Sequence, residues 1–376
     1  MANTVTVSIR VAGSPGEGRV AVVRDNRLVD YTVWRMGAPD GVGDVHRGRV
    51  IAHVPAMAGA FVALALGEGF LPDSEFPDGP GVRPAAGSIL TVRITRAAQG
   101  SKGPRLSARL VDVFASGPVG LLRRGPDPVR RFAAAFPEAA ILVDDAGLAA
   151  QIVAGQGLGG RVSVVPSVLD DDLEEAIDAL SRPVVELPGG VRLQIWPTPA
   201  LVAVDVDAGG AVAGSGGAGA RHEALNRAAV AAVAEQIRLR NLSGAIVVDL
   251  AGLSPRRRAA LGPDFIAALA NDPLRPKFLG FTALGLAEIV RTRIHPPLHE
   301  LLAGPLAAGL AALRAVAAAC DPRCLPAVRA HPAIVSALQA DTAALPDLVR
   351  RTGRAVTLRS DPSLPATAWV LEKDNG

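Results

Sequence analysis

Two short apolar runs, Ala200–Val206 and Ala245–Leu250, constrain this chain most, because each carries a carboxylate at or near its end. The first holds Asp205, with Asp207 two residues on; the second holds Asp249. Both runs are rich in Val and Ala and bounded by turn-forming residues, which reads as buried strands. Between them, His222–Arg240 (HEALNRAAVAAVAEQIRLR) repeats apolar residues at helical spacing. Strand, helix, strand predicts parallel neighbours joined by a right-handed crossover. Parallel neighbours end on the same side, where open α/β sheets bind ligands. Asp205 and Asp249 are therefore expected side by side.

Neighbouring carboxylates repel, and one takes a proton unless a cation lies between them. A hard divalent ion such as Mg²⁺ resolves this: it takes oxygen ligands and often shares its shell with a phosphate. Such an ion can lower the pKa of a coordinated water and neutralise charge on a phosphoryl transition state. The plainer reading makes one Asp a helix cap and the other a solvated strand end.

The same stretch also permits a dinucleotide-binding arrangement. Gly214-Ser215-Gly216-Gly217-Ala218-Gly219 fits G-x-G-x-x-G between a strand and a helix, with Asp249 ending the next strand. Against it, Asp207–Ala213 separate the glycines from the strand, and Asp249 lies well beyond the roughly 20 residues expected after the first glycine. A chain with 40 Gly produces such matches by chance, so the loop reads as coil over the site.

The 376 residues suffice for two or three domains. Aromatics are only 3% against 49% hydrophobic residues, so the cores must be aliphatic. No apolar window is long enough to span a membrane, and MANTVTVSIRVAG lacks the basic start and apolar core of a signal peptide. Cys320 and Cys324 fit a reducing cytoplasm; as a lone C-x3-C pair they fall short of the four ligands zinc prefers, and His331 does not complete the set. Of the 39 basic residues only Lys102, Lys277 and Lys373 are Lys. Arg makes bidentate phosphate contacts, although a GC-rich genome explains the bias equally well.

In chain order, residues 5–37 read as strands with a hairpin turn at Asp25-Asn26, followed by a linker at Gly37–Gly41. Residues 42–112 show short strands with turns at regular spacing, which suggests a small barrel. Phe61 and Phe70 lie there among small residues, either as a base-stacking face or as barrel core. Arg47, Arg49, Arg93, Arg96, Lys102, Arg105 and Arg109 would supply phosphate contacts. Arg123, Arg124, Arg130 and Arg131 cluster beyond the barrel. AAILVDDAGLAAQIVA reads as strand then helix, and DDDLEEAIDALS as a helix with an acidic first turn rather than a metal cluster. VVELPGGVRLQIW reads as a hairpin tipped by Gly189-Gly190. After Asp249, LSPRRRAALGPDFIAALAND reads as one helix, whose Arg256–Arg258 either face phosphates or are solvated. FLGFTALGLAEIVRTRIHPPL reads as strand then helix; the rest is helical to Ala319, then VRAHPAIVSALQ and the strands AVTLRS and ATAWVLEK.

Together these segments carry a pattern that resembles the ribonuclease E/G family of bacterial endoribonucleases. The matching motifs are VAVVRDNRLVDYTV, VGDVHRGRV, AGAFVALALGEGFLP, GSKGPRLSARL, LPGGVRLQI, TPALVAVDVDAGGA, EALNRAAVAAVAEQIRLRNLSGAIVVDLAGLSP and GLAEIVRTRI, which cover most of the chain in order. The resemblance implies an α/β, multidomain fold. An S1-type OB-fold RNA-binding domain (40–115) would interrupt an RNase H-like subdomain (1–39 and 116–187). A DNase I-like catalytic subdomain (188–303) and a small C-terminal domain (304–376) would follow. It implies that Asp205 and Asp249 are the catalytic, metal-binding aspartates, that Phe61 and Phe70 stack RNA bases, and that Lys102 lies beside the RNA path.

Four departures bear on function. Asp207 stands where the family usually has Asn, which keeps an oxygen ligand and adds charge. The family's Arg-Phe-Gly-Leu-Leu-Glu becomes Ala283-Leu284-Gly285-Leu286-Ala287-Glu288, without the Arg. The family's 5′-monophosphate sensor, with its Arg-Thr-Ala-Gly motif, has no counterpart between Ala115 and Arg131. The two-Cys zinc link is absent after His295-Pro-Pro-Leu-His299.

The resulting expectation is a Mg²⁺-dependent endoribonuclease, able to use Mn²⁺, acting on single-stranded RNA. Asp205, Asp249 and Asp207 would be the metal set. Phe61, Phe70, Lys102, Arg47, Arg49 and Arg105 would be the RNA-binding set. It would be indifferent to the 5′ end, without structural zinc, cytoplasmic, and a monomer or weak homodimer. The alternatives are a catalytically weakened RNA-binding protein of the same family and, further off, a dinucleotide-binding oxidoreductase.

Overall fold

The computed structural model describes residues 6–65, 67–77, 83–100, 102–110, 117–155, 157–209, 218–319 and 325–374. The N-terminal five residues, Gly214–Gly217 of the glycine-rich loop, Cys320 and Cys324 lie outside them. The chain divides into two compact units: Ala38–Ala135 with Ile294–Pro296, and the remainder. The remainder begins with an antiparallel meander, β1 (Val7–Ser14), β2 (Glu17–Arg24) and β3 (Arg27–Arg35). Its second turn is at Asp25 and Asn26, whose φ values of 49° and 62° suit a two-residue hairpin turn.

The smaller unit holds β4 (Val45–Val54), β5 (Gly59–Ala63), β6 (Glu68–Pro72), β7 (Ile89–Arg96), β8 (Arg105–Ser107), β9 (Gly120–Arg123) and α1 (Pro128–Ala135). The strands follow the order β5-β6-β8-β7-β4, and β4 also pairs with β5, so five strands close into a barrel of OB-like form with β9 added on β4. Val50, Ala60, Val62, Leu71, Phe76, Val92 and Leu106 fill its interior. Asp44, buried just ahead of β4, fastens the chain after β9 by accepting from Arg124 Nη1 and Gly125 N, both at 2.7 Å.

Back in the larger unit, β10 (Ala140–Val143) adds parallel to β1, and after α2 (Ala146–Ala154) β11 (Val162–Val164) adds parallel to β10. α3 (Asp171–Ala179) is N-capped by Asp170, whose Oδ1 accepts from Leu173 N at 3.0 Å. Its acidic first turn is thus a helix start that complements the dipole.

The second sheet contains β12 (Val184–Leu187), β13 (Val191–Pro197), β14 (Val202–Asp207), α4 (Ala218–Leu239), β15 (Gly244–Asp249), α5 (Pro255–Ala259), α6 (Gly262–Leu269), β16 (Lys277–Phe281) and β17 (Ala287–Arg291). Strand order is β12-β13-β14-β15-β17-β16, with β14 and β15 parallel and the other pairs antiparallel. One face is covered by α4 and α6. Ala229, Val230, Val233, Ala234 and Ile237 of α4 and Phe265 and Leu269 of α6 pack on Leu193, Ile195, Val204, Val206, Ile246, Val248 and Ile289. The spacing of the α4 positions is the apolar stripe of a helix laid on a core.

Two expectations need correction here. GLAEIVRTRI is a strand, not a helix: its Ala287, Ile289 and Arg291 are buried in alternation, and Gly285, at φ 89°, turns the chain back from β16. The single helix after Asp249 is two, α5 and α6, with Pro263 in the first turn of the second.

α7 (Leu298–Leu301), α8 (Gly304–Ala318), β18 (Leu325–Ala330), α9 (Pro332–Ala340), α10 (Ala344–Thr352), β19 (Thr357–Ser360) and β20 (Trp369–Asp374) complete the larger unit, with a three-stranded sheet β19-β18-β20. Among the described residues no helix is long and apolar enough to cross a membrane.

Candidate functional site

The face of the β12–β17 sheet opposite α4 and α6 carries the polar residues. β13 alternates buried Val191, Leu193 and Ile195 with Arg192, Gln194 and Trp196, and β14 alternates Val202, Val204 and Val206 with Ala203, Asp205 and Asp207. In β15 the outward set includes Val247 and Asp249. Register arranges these into rows. Gln194 opposes Asp205, and Asp205 is the parallel partner of Asp249. One row away lie Trp196, Ala203, Val247 and Glu288; on the other side Arg192 opposes Asp207.

Adjacent strands run about 4.8 Å apart, so the two exposed carboxylates at the strand ends are near neighbours. Among the described residues neither accepts a hydrogen bond or pairs with a cation. Partial burial first, then the charges of Asp249 and Asp207, raise the pKa of Asp205 above its ordinary value. Two hard oxygen donors in register, one of them made harder to ionise by the other, fit a divalent cation. Asp207 is engaged elsewhere: Arg192 Nη2 lies 3.3 Å from its Oδ2, and Gly209 N donates to its Oδ1 at 2.8 Å. Among the described residues no group of three or more His, Cys, Asp or Glu is arranged to hold a metal ion.

The loop leaving Asp249 is held from behind. Asn226 of α4, wholly buried, donates from Nδ2 to Ala251 O at 2.8 Å and accepts from Ala251 N at 3.0 Å. Asn226, Gln194, Arg192 and Glu288 are site neighbours beyond those expected from the sequence. The alternation in VRLQIW was the available signal for Arg192 and Gln194, and a lone Asn on an apolar helix face was the signal for Asn226. Arg256 and Arg257 on α5 are exposed.

In the barrel unit, Phe61 and Phe70 stand opposite each other on β5 and β6, with ring centroids 5.7 Å apart at 65°. Both are half-buried and neither belongs to the interior cluster, so they line the outer face. Gly59 leaves room for the Phe70 ring, which a Cβ there would strike. The row continues across β8 and β7 through Arg105 and Arg96, an aromatic pair running into two cations. Lys102 is exposed in the turn before β8. Arg49, exposed on β4, donates to Gly87 O at 3.3 Å and opposes Ala63, two residues along β5 from Phe61. Arg47 is turned toward Pro118 O at 3.2 Å, next to β9. The structure thus groups Phe61, Phe70, Arg105 and Arg96, and sets Arg47 apart.

Residues 164–294 match the model of the Ribonuclease E/G family. That span contains both aspartates and the whole β12–β17 sheet. The chain is 37% identical over 132 residues to ribonuclease E of Nostoc sp. (34% of this chain, 19% of the relative). It is 31% identical over 171 residues to ribonuclease G of Escherichia coli K12 (43% and 33%). It is 31% identical over 138 residues to a chloroplastic ribonuclease E/G-like protein of Arabidopsis thaliana (36% and 14%). The chain therefore spans at most a third of the length of these relatives. The match is centred on the segment that builds the paired aspartates, so residues 164–294 are similar to the ribonuclease E/G family.

Proposed function

We propose that this chain is a metal-dependent endoribonuclease that hydrolyses phosphodiester bonds in single-stranded RNA. The observation that carries the reading is the in-register pairing of Asp205 with Asp249 on the uncovered sheet face, inside the segment that matches the family. Asp205 and Asp249 would hold Mg²⁺ or Mn²⁺. When bound, the ion supplies charge neutralisation at the phosphoryl group and lowers the pKa of a coordinated water.

The chain's own residues do the rest. Gln194 borders Asp205 and can orient its carboxylate, Arg192 neutralises Asp207, and Asn226 fixes the backbone that follows Asp249. Phe61 and Phe70 stack unpaired bases, while Arg96, Lys102, Arg105, Arg49 and Arg47 draw in the phosphate backbone. On this reading the barrel is an S1-type RNA-binding domain. The sheet of β1–β3, β10 and β11 is RNase H-like, and the β12–β17 sheet is DNase I-like. Cleavage leaves 5′-phosphate and 3′-hydroxyl ends. It proceeds equally on 5′-triphosphate and 5′-monophosphate RNA, since the sensor motif is missing. The same reading makes the protein cytoplasmic, free of structural zinc, and a monomer or weak homodimer.

The test is a 5′-labelled, AU-rich single-stranded RNA incubated with the protein in Mg²⁺ or EDTA, with Asp205→Asn in parallel. Internal cuts requiring both the ion and Asp205 are expected. RNA binding without cuts in either Mg²⁺ or Mn²⁺ would favour a binding protein, a reading that Ala283, in place of the family's Arg, supports.

A further inference from the structure

The row next to the aspartates ends on an aromatic. Trp196 is 52% exposed, the one aromatic among the exposed large hydrophobic residues described. It opposes Ala203, whose methyl group leaves the indole uncovered from that side. Asp205 is two residues along β14 from Ala203, so strand geometry sets Trp196 about 8 Å from Asp205. An exposed indole on a rigid strand, one row from a metal-type carboxylate pair, is not demanded by packing.

Beside it, within the same unit, opens a cavity of about 350 Å³ lined by Trp196, Pro197, Pro183, Leu302, His299 and Arg240 among others. That volume lies at the small end of ligand sites. Its walls are mostly apolar, and its one cation is unusual. Arg240 is 6% exposed and has no carboxylate partner. It donates to Gln236 Oε1 at 2.8 Å, Arg182 O at 2.7 Å and Ala179 O at 3.3 Å, all neutral acceptors. Burial alone pulls its pKa down to about 10, so it remains charged at neutral pH. Two carbonyls at and just beyond the end of α3, together with the Gln236 side chain on α4, account for three of its five N–H donors. They do not account for a buried cation left without a counter-charge at the wall of a cavity, nor for the bare indole next to it.

We propose that Trp196 and this cavity form a nucleobase subsite, with the indole stacking the base and Arg240 donating to its acceptor edge. Guanidinium donors meet O6 and N7 of guanine in this way, and base–aromatic stacking tolerates any sequence. The proposal rests on the RNA-acting function above and extends it: the base held here belongs to a nucleotide adjoining the phosphodiester at Asp205 and Asp249.

The chain has three Trp, so the indole can report directly. The experiment is a fluorescence titration of the full chain with GMP, with ribose 5-phosphate as the base-free control, in wild type, Trp196→Phe and Asp249→Asn. GMP should quench wild type and Asp249→Asn. Ribose 5-phosphate should not, and Trp196→Phe, which keeps Trp34 and Trp369, should show no quenching. Trp196→Ala, at an exposed position, should weaken binding of a labelled single-stranded hexanucleotide about tenfold, within the range set by losing one stacked base. Quenching that survives Trp196→Phe, an equal response to ribose 5-phosphate, or no response to GMP would overturn the subsite. Because the titration reads binding and not cleavage, those results with cleavage intact sink the subsite alone. Cleavage that fails while Trp196 is quenched sinks only the nuclease.

Discussion

Replacing Asp249 by Asn should make the ion-free protein more stable while removing its response to Mg²⁺. The two carboxylates occupy partner positions on parallel strands, about 5 Å apart by strand spacing. Two unit charges at that distance repel by about 0.8 kcal/mol in water and about 3 kcal/mol at an effective dielectric of 20. Both residues are exposed, so solvent screening holds the figure near the lower value. Asp207 adds less, because Arg192 lies against it. Asp249→Asn should therefore gain about 1 kcal/mol in EDTA at pH 7, roughly a 2 °C rise in Tm for a unit of this size. The pH dependence has a definite sign. The folded-state pKa of Asp205 is raised, so the native protein holds that proton more tightly than the unfolded chain. The repulsive penalty is then fully present above the raised pKa and fades as pH falls through it. The variant's advantage should be present at pH 7 and vanish on acidification below the carboxylate range. With the ion at about a hundred times its Kd, wild type should gain about 2.7 kcal/mol by mass action, and the variant much less. The order of the two Tm values thus reverses between EDTA and Mg²⁺ in a scanning fluorimetry experiment. A variant less stable than wild type in EDTA at pH 7, or equal stabilisation of both by Mg²⁺, would refute the reasoning.

Three further outcomes can be measured. Asp272 accepts from Arg291 Nε at 2.7 Å with both side chains about 95% buried, and Arg291 also donates to Asn241 Oδ1 and Leu242 O; Asp272→Ala should cost about 3–5 kcal/mol by chemical denaturation, because it leaves a buried guanidinium unpaired. Phe61→Ala should weaken RNA binding about five- to hundredfold in an anisotropy titration while leaving the metal response of Tm unchanged, as expected for one lost stacking platform. His46, buried on β4 with neither ring nitrogen hydrogen-bonded and Asp44 3.9 Å away, has a pKa lowered chiefly by burial. Its neutral form is favoured by folding, so stability should be intact above pH 6.5 and decline as pH falls below it. Urea midpoints at pH 7.5 and 5.5 should show this loss, and His46→Leu should abolish it.

What the sequence discloses and withholds follows from which forces act locally. The strands bearing Asp205 and Asp249 are legible because both are buried apolar runs, and a helix between them leaves parallel pairing as the simple closure. Their side-by-side placement needs only that topology. The barrel is legible from the regular spacing of short strands and turns, whereas the Phe61–Phe70 pair is not, since facing across β5 and β6 depends on a register no local pattern fixes. The apolar positions of LAEIVR satisfy a helix as well as a strand; what decides is pairing with β15 on one side and β16 on the other, a tertiary term. Asp207 shows the same limit at the site itself. Its spacing puts it on the face of Asp205, as alternation requires, but Arg192 opposite it belongs to another strand, and that cation lies 3.3 Å from its carboxylate. The uncovered face is the largest hidden feature. Gln194, Trp196 and Glu288 matter because the two helices that supply this sheet's core, α4 and α6, pack on the other side. A chain with the same strands and a helix on each face would bury those three positions, so their identity as Gln, Trp and Glu becomes meaningful only once the layer count is known.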